Sequence, residues 1–155
     1  MWIAERLTAE CGVVFEDLDA VLAAHQGEFA QELPRLLGPR GRLLVARAGP
    51  EVVGAGALKP VDATVAEIKR MYVHPRVRGQ GIGRAILERL LADARTIGYQ
   101  VARLETLIFM REAHALYRSM GFQDIPIFDH SEVSLSGLES LTLFMELRLH
   151  HAARP

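Results

Sequence analysis

"VRGQGIGRAI", residues 77–86, places Gly79, Gly81 and Gly83 between Arg78 and Arg84 and then runs directly into an amphipathic repeat. A helix N-terminus presents unpaired N–H groups and the positive end of a dipole, so a loop that enters it can hold phosphate oxygens. The glycines allow unusual φ angles and a close approach to the amides, and the two arginines add forked cationic donors. A P-loop requires Gly-Lys-Ser/Thr, whereas Gly83 is followed by Arg84 and Ala85. A dinucleotide turn requires Gly-x-Gly-x-x-Gly, whereas glycine here recurs at every second position and no parallel-strand repeat follows. Two readings stay open: a tight strand-to-helix connection, or a phosphate cradle of another kind.

From Gly81 onward the period is helical, with Ile82, Ile86, Leu90, Ala94 and Ile97 on one face and Gly98 as the stop. On the N-terminal side, "RLLVARAGPEVVGAGALKP" (42–60) reads as a hairpin turning at Gly49-Pro50, and "TVAEIKRMYVHP" (64–75) as a third strand ended by Pro75. Downstream, "VARLETL" (101–107) is a strand, Ala113, Leu116, Tyr117 and Met120 mark a helix closed by Gly121, and "GFQDIPIF" and "SLTLFMELRL" are closing strands. Residues 16–37 carry helical spacing interrupted at Gly27, which predicts two short helices. The expected class is α/β (α+β): a mixed, mostly antiparallel sheet of about six or seven strands with helices on both faces.

The 155 residues are half apolar and about a quarter charged, which fits one domain spanning 1–155 with a sizeable core. A net charge of −1 gives no bulk attraction to nucleic acid or to an anionic membrane, and no apolar run approaches a membrane span. Nucleic acid and membrane are therefore not expected partners. Cys11, the sole cysteine, agrees with a reducing, cytoplasmic setting. The six histidines lack metal-ligand spacing, so no metal is expected, and surface or capping roles are predicted for His25, His74, His114 and His130. Charge is segregated along the chain. Residues 7–34 hold Glu10, Glu16, Asp17, Asp19, Glu28 and Glu32 without a Lys or Arg, while residues 69–95 hold seven bases against Glu88 and Asp93.

"EIKRMYVHPRVRGQGIGRAIL" (67–87) followed by "EAHALYRSMGF" (112–122) resembles the GNAT superfamily of acetyl-CoA-dependent N-acetyltransferases. The resemblance covers residues 42–122 and, less fully, the last strand. It implies that Arg78, Gly79, Gln80, Gly81, Ile82, Gly83 and Arg84 wrap the pyrophosphate of acetyl-CoA. It also implies that Met71, Tyr72 and Val73 flank the pantetheine arm, with main-chain groups of Met71 and Val73 pairing with it as an added strand would. The sheet is expected to splay beyond this strand and to receive the thioester in the opening.

By the same resemblance Tyr117 is the acid that serves the leaving sulfur, Glu67 is a base that acts on the amine, and the Val73 N–H takes the oxyanion. Many members carry Asn seven positions before the Tyr, and here that position is Met110. The implied reaction is direct acetyl transfer, in a ternary complex, to a primary amine of a small molecule or peptide. Non-catalytic acyl-CoA binding and acetylation of a protein N-terminus or lysine are the alternatives, and a homodimer is the expected assembly. Together with the charge segregation it suggests a cationic acceptor drawn to the acidic stretch 7–34.

Overall fold

A computed structural model describes residues 2–12, 18–128 and 138–150. Two helices, α1 (Trp2–Cys11) and α2 (Leu18–Leu36), precede the hairpin β1 (Arg42–Ala48) and β2 (Glu51–Pro60), followed by β3 (Val65–Val73). A 3₁₀ turn (Pro75–Val77) leads into α3 (Ile82–Ile97); β4 (Val101–Leu107), α4 (Arg111–Ser119), β5 (Gln123–Ile125) and β6 (Thr142–Arg148) complete the order. The six strands form one sheet ordered β1-β2-β3-β4-β6-β5. Every pairing is antiparallel except β3 with β4, as a mixed sheet requires when a helix crosses between those two strands.

The two faces of the sheet follow from strand periodicity. β4 alternates without exception, burying Ala102, Leu104 and Thr106 and leaving Val101, Arg103, Glu105 and Leu107 half-buried. On the apolar side, Ala66 and Ile68 of β3, Ala102 and Leu104 of β4, and Met145 of β6 join Ile86, Leu87, Leu90, Leu91 and Ala94 of α3 in one core. Each of the large aliphatic side chains contributes roughly 1.5–3 kcal/mol of burial. Gly54 and Gly56 let α3 settle onto β2: a Cβ on Gly56 would lie 2.5 Å from Ile86 Cγ2 and 2.8 Å from Met71 Sδ.

The expected break at Gly27 is absent, and α2 runs unbroken through it. A glycine inside a helix costs only about 1 kcal/mol. Tertiary anchors at the far end of α2 outweigh that cost, since Leu36 is fully buried and Glu32 is tied to the sheet by three cations. Helix α1 was not anticipated. Glu16, Asp17, His130 and His151 lie outside the described residues.

Candidate active site

β3 and β4 stay together for only three positions, Val65 to Glu67 against Val101 to Arg103, and then part. On its other side β3 pairs with β2 up to Val73. A bulge interrupts that pairing: Lys69 is opposite Ala57 and Tyr72 opposite Ala55, so Arg70 and Met71 share Gly56. Arg70, at φ 56°, is the sole non-glycine residue with positive φ among the described residues, a conformation that costs about 1–2 kcal/mol. Extra residue and divergence together leave the last third of β3 with an unpaired edge. The His74 N–H donates to Val53 O at 2.8 Å. Strand alternation therefore turns the Val73 N–H the opposite way, into the opening.

The opening leads to a cavity of about 630 Å³ bounded by the end of β3, the glycine loop and α4. His74 shapes the entry to the loop, its Nδ1 accepting from the Arg76 N–H at 3.3 Å to cap the 3₁₀ turn. Gly79 and Gly81 follow with φ 76° and 82°, in the left-handed region that favours glycine. A Cβ on either would meet nothing within 4 Å, so their backbone faces open space at the N-terminus of α3. Arg78 Nε donates to Val73 O at 3.0 Å. Arg84 reaches across to the end of α4, giving hydrogen bonds to Ser119 Oγ at 2.7 Å and Met120 Sδ at 3.2 Å.

On the cavity's other wall, Met110 stands at the N-cap of α4 and its side chain makes no cap hydrogen bond. What fixes this helix is His114, which is buried, with Nε2 2.9 Å from Leu107 O at the end of β4. Burial holds the imidazole below its usual pKa, so at neutral pH it is neutral, and the Nε2–H donates to that carbonyl. One turn on, Tyr117 is 5 % exposed and its ring is 5.8 Å from that of Phe122. Among the described residues its hydroxyl has no hydrogen-bond partner, and burial pushes the phenol up to about 12. It is thus fully protonated at neutral pH.

Glu67 is at the last rung before the strands part, paired across β3–β4 with Arg103 and across β2–β3 with Lys59. Burial raises its carboxyl above the ordinary range; Lys69 pulls it down and Glu105 pushes it up. Glu32 of α2 behaves in the opposite sense. Burial would raise it, but hydrogen bonds from Lys59 (2.8 Å), Lys69 (2.7 Å) and Arg70 (2.9 Å) prevail and bring it down to about 2.

Residues 8–122 match the sequence model of the acetyltransferase (GNAT) family. The chain belongs to that family. This GNAT acyltransferase is 37 % identical over 137 residues to the IAA acetyltransferase of Azospirillum brasilense, covering 86 % of each chain. Its fold matches that of a putative acyl-CoA N-acyltransferase from Klebsiella pneumoniae, with 31 % identity, a TM-score of 0.66 and coverage of 84 % and 89 % of the two chains. A GNAT family acetyltransferase from Elizabethkingia anophelis, crystallised with acetyl-CoA bound, shares the fold at 22 % identity and a TM-score of 0.62, covering 80 % and 83 %.

Of the residues anticipated from the sequence, this GNAT chain gathers Met71, Tyr72 and Val73, then Arg78, Gly79 and Gly81 to Arg84, and finally Tyr117 around the one cavity. Gln80 is exposed and Glu67 is buried beside the opening; neither lines the cavity. His74 caps a turn, as one expected role had it, whereas His114 is a buried anchor. Arg6 of α1, Phe109 and Arg111 line the cavity without having been singled out. Nothing in the sequence marks Arg6, because its helix was not recognised. Among the described residues no group of three or more His, Cys, Asp or Glu is placed to hold a metal ion, and no helix is long and apolar enough to cross a membrane.

Proposed function

We propose that this chain moves the acetyl group of acetyl-CoA directly onto a primary amine, within a ternary complex. The observation that carries the proposal is the unpaired edge of β3, which ends at two left-handed glycines on a helix N-terminus and faces a buried, protonated tyrosine across one cavity. An edge offers main-chain partners to the pantetheine amides at Met71 and Val73. The open backbone at Gly79 and Gly81 fits a diphosphate, with Arg78 and Arg84 adding cationic donors. The acetyl-CoA bound by the Elizabethkingia structure supports the same ligand here.

In the transfer itself, Glu67, raised by burial, accepts a proton from the acceptor nitrogen, directly or through water, as the nitrogen attacks the thioester carbonyl. The N–C bond forms, and the Val73 N–H holds the oxyanion. Collapse breaks the C–S bond, and the proton lost by nitrogen is balanced by the one that ends on the thiol. Tyr117 contributes a hydrogen bond to the departing sulfur. Complete proton transfer from a phenol at about 12 to a thiolate whose acid has a pKa of ~8.5 is uphill by roughly 5 kcal/mol, so donation grows with charge on sulfur and solvent supplies the final proton.

The test is thermal unfolding with acetyl-CoA, followed by thiol release with an amine panel. A ligand at ~100 times its Kd adds about 2.7 kcal/mol, which for a domain of this size is roughly 5–10 °C. No shift at millimolar acetyl-CoA in low salt overturns the proposal.

A further inference from the structure

The sheet carries an apolar core on one face and buried charge on the other. Toward α2 the strands present Lys59, Glu67, Lys69, Arg103 and Glu105, of which Glu67 and Lys69 are only 7 % and 8 % exposed. Uncompensated buried charges cost several kcal/mol apiece, so their partners should be accountable. Some are. Glu32 takes Lys59, Lys69 and Arg70, while elsewhere on the N-terminal helices Glu10 pairs with Arg6 and Glu28 lies 3.4 Å from His25.

On this ionic face three atoms, at or beyond the rung where β3 and β4 part, lack a hydrogen bond. Arg70 Nε, Arg103 Nε and Glu105 Oε1 are buried with no hydrogen-bond partner. Both guanidinium groups are held in place, Arg70 by Glu32 and 5.5 Å from the centre of the Phe29 ring, Arg103 3.9 Å from the centre of the Phe128 ring. A planar cation stacked on an aromatic ring keeps its in-plane donors free for a carboxylate. The unmet carboxylate oxygen calls for a donor, and an amine supplies one.

We infer that the acceptor is a small amine that itself carries a carboxylate, an amino acid or a close analogue. Arg103 and Arg70 take the carboxylate, and the nitrogen lies toward Glu67 and Glu105. The inference rests on the acetyl-transfer reading for the identity of the nitrogen, and it replaces the purely cationic acceptor suggested by residues 7–34. Such a cation would meet Lys69, Arg70 and Arg103 where Glu32 is already paired with three cations.

The experiment compares matched amines that differ only in the carboxylate, each proteinogenic amino acid against its decarboxylated counterpart. Thiol release from acetyl-CoA is one readout, and thermal stabilisation of the CoA-bound protein by the same amines is the other. The preferred carboxylate-bearing amine should exceed its counterpart at least tenfold in kcat/KM. Arg103→Gln should raise the KM of that amine at least tenfold while leaving the KM of acetyl-CoA within twofold, and Arg103→Lys should restore part of the loss and serve as the folded control. Equal or better use of decarboxylated amines overturns the inference and leaves acetyl transfer standing. Arg103-dependent stabilisation by amino acids without thiol release supports the carboxylate site and overturns acetyl transfer. Absence of any such stabilisation overturns the inference.

Discussion

Tyr117 is the residue on which the chemistry can be tested most directly. Tyr117 is buried and lines the cavity, and its protonated hydroxyl makes no hydrogen bond among the described residues, so removing it disturbs little besides the reaction. Tyr117→Phe should lower kcat about 10²-fold, the scale of losing one hydrogen-bond donor aimed at charge that develops in the transition state, with the Kd of acetyl-CoA within twofold. Single-turnover kinetics with equilibrium binding checks both numbers. The glycines are marked locally in the sequence, because positive φ and a close approach at a helix entry give each a backbone reason; Tyr117 is singled out only by the resemblance of "ALYRSMGF" to GNAT sequences. Arg70, Arg103 and Glu105 were not legible. Arg103 and Glu105, two apart on a strand, look the same in a sequence whether they face solvent or an internal site, and Arg70, adjacent to Lys69, is turned to that face only by the bulge.

At the scale of elements, the contact of α3 with β2 is the tightest constraint on the loop that opens α3. Gly56→Ala puts a methyl group against Ile86, Met71 and Leu90, and should cost about 1–3 kcal/mol, a fall in Tm of roughly 3–10 °C. Gly83→Ala is the control, because there a Cβ would make ordinary contacts of 3.5 Å and 3.6 Å with Val73 and Leu116, and its Tm should stay within about 2 °C. Calorimetry of the two variants decides whether the helix seat or the loop is the sensitive part. Element boundaries from β1 to β4 followed from periodicity with glycine and proline punctuation, whereas the strand expected over "GFQDIPIF" shrinks to Gln123–Ile125, ahead of Pro126. Helix α2 did not, since Gly27 carries a local penalty that distant ion pairs override, and ion pairs 27 to 38 residues apart leave no local trace.

For the whole molecule, Glu32 is the tie between the N-terminal helices and the sheet. Its carboxyl is held from 4.5 down to about 2, a gap worth roughly 3 kcal/mol. A lowered carboxyl pKa means the stabilisation is complete above the unfolded value and is lost as pH falls toward the folded one. Glu32→Gln should therefore cost roughly 3 kcal/mol in urea unfolding at pH 7. The difference from wild type should shrink between pH 4.5 and about 2 as the native carboxylate is itself protonated. The mixed sheet and its helical cover were readable from the order of elements. That one face is greasy and the other ionic was not, because it depends on which helix covers which side.

The separation of β3 from β4 has one more consequence. Amide protons of Met71 and Val73 point away from β2 and have no strand to shield them, whereas those of Tyr72 and His74 point toward it. Deuterium uptake should then alternate along the four residues, and a ligand lying in the gap as a guest strand should quench the fast pair by at least tenfold while leaving the slow pair unchanged. A ligand held by its phosphates alone would leave that odd–even rhythm intact.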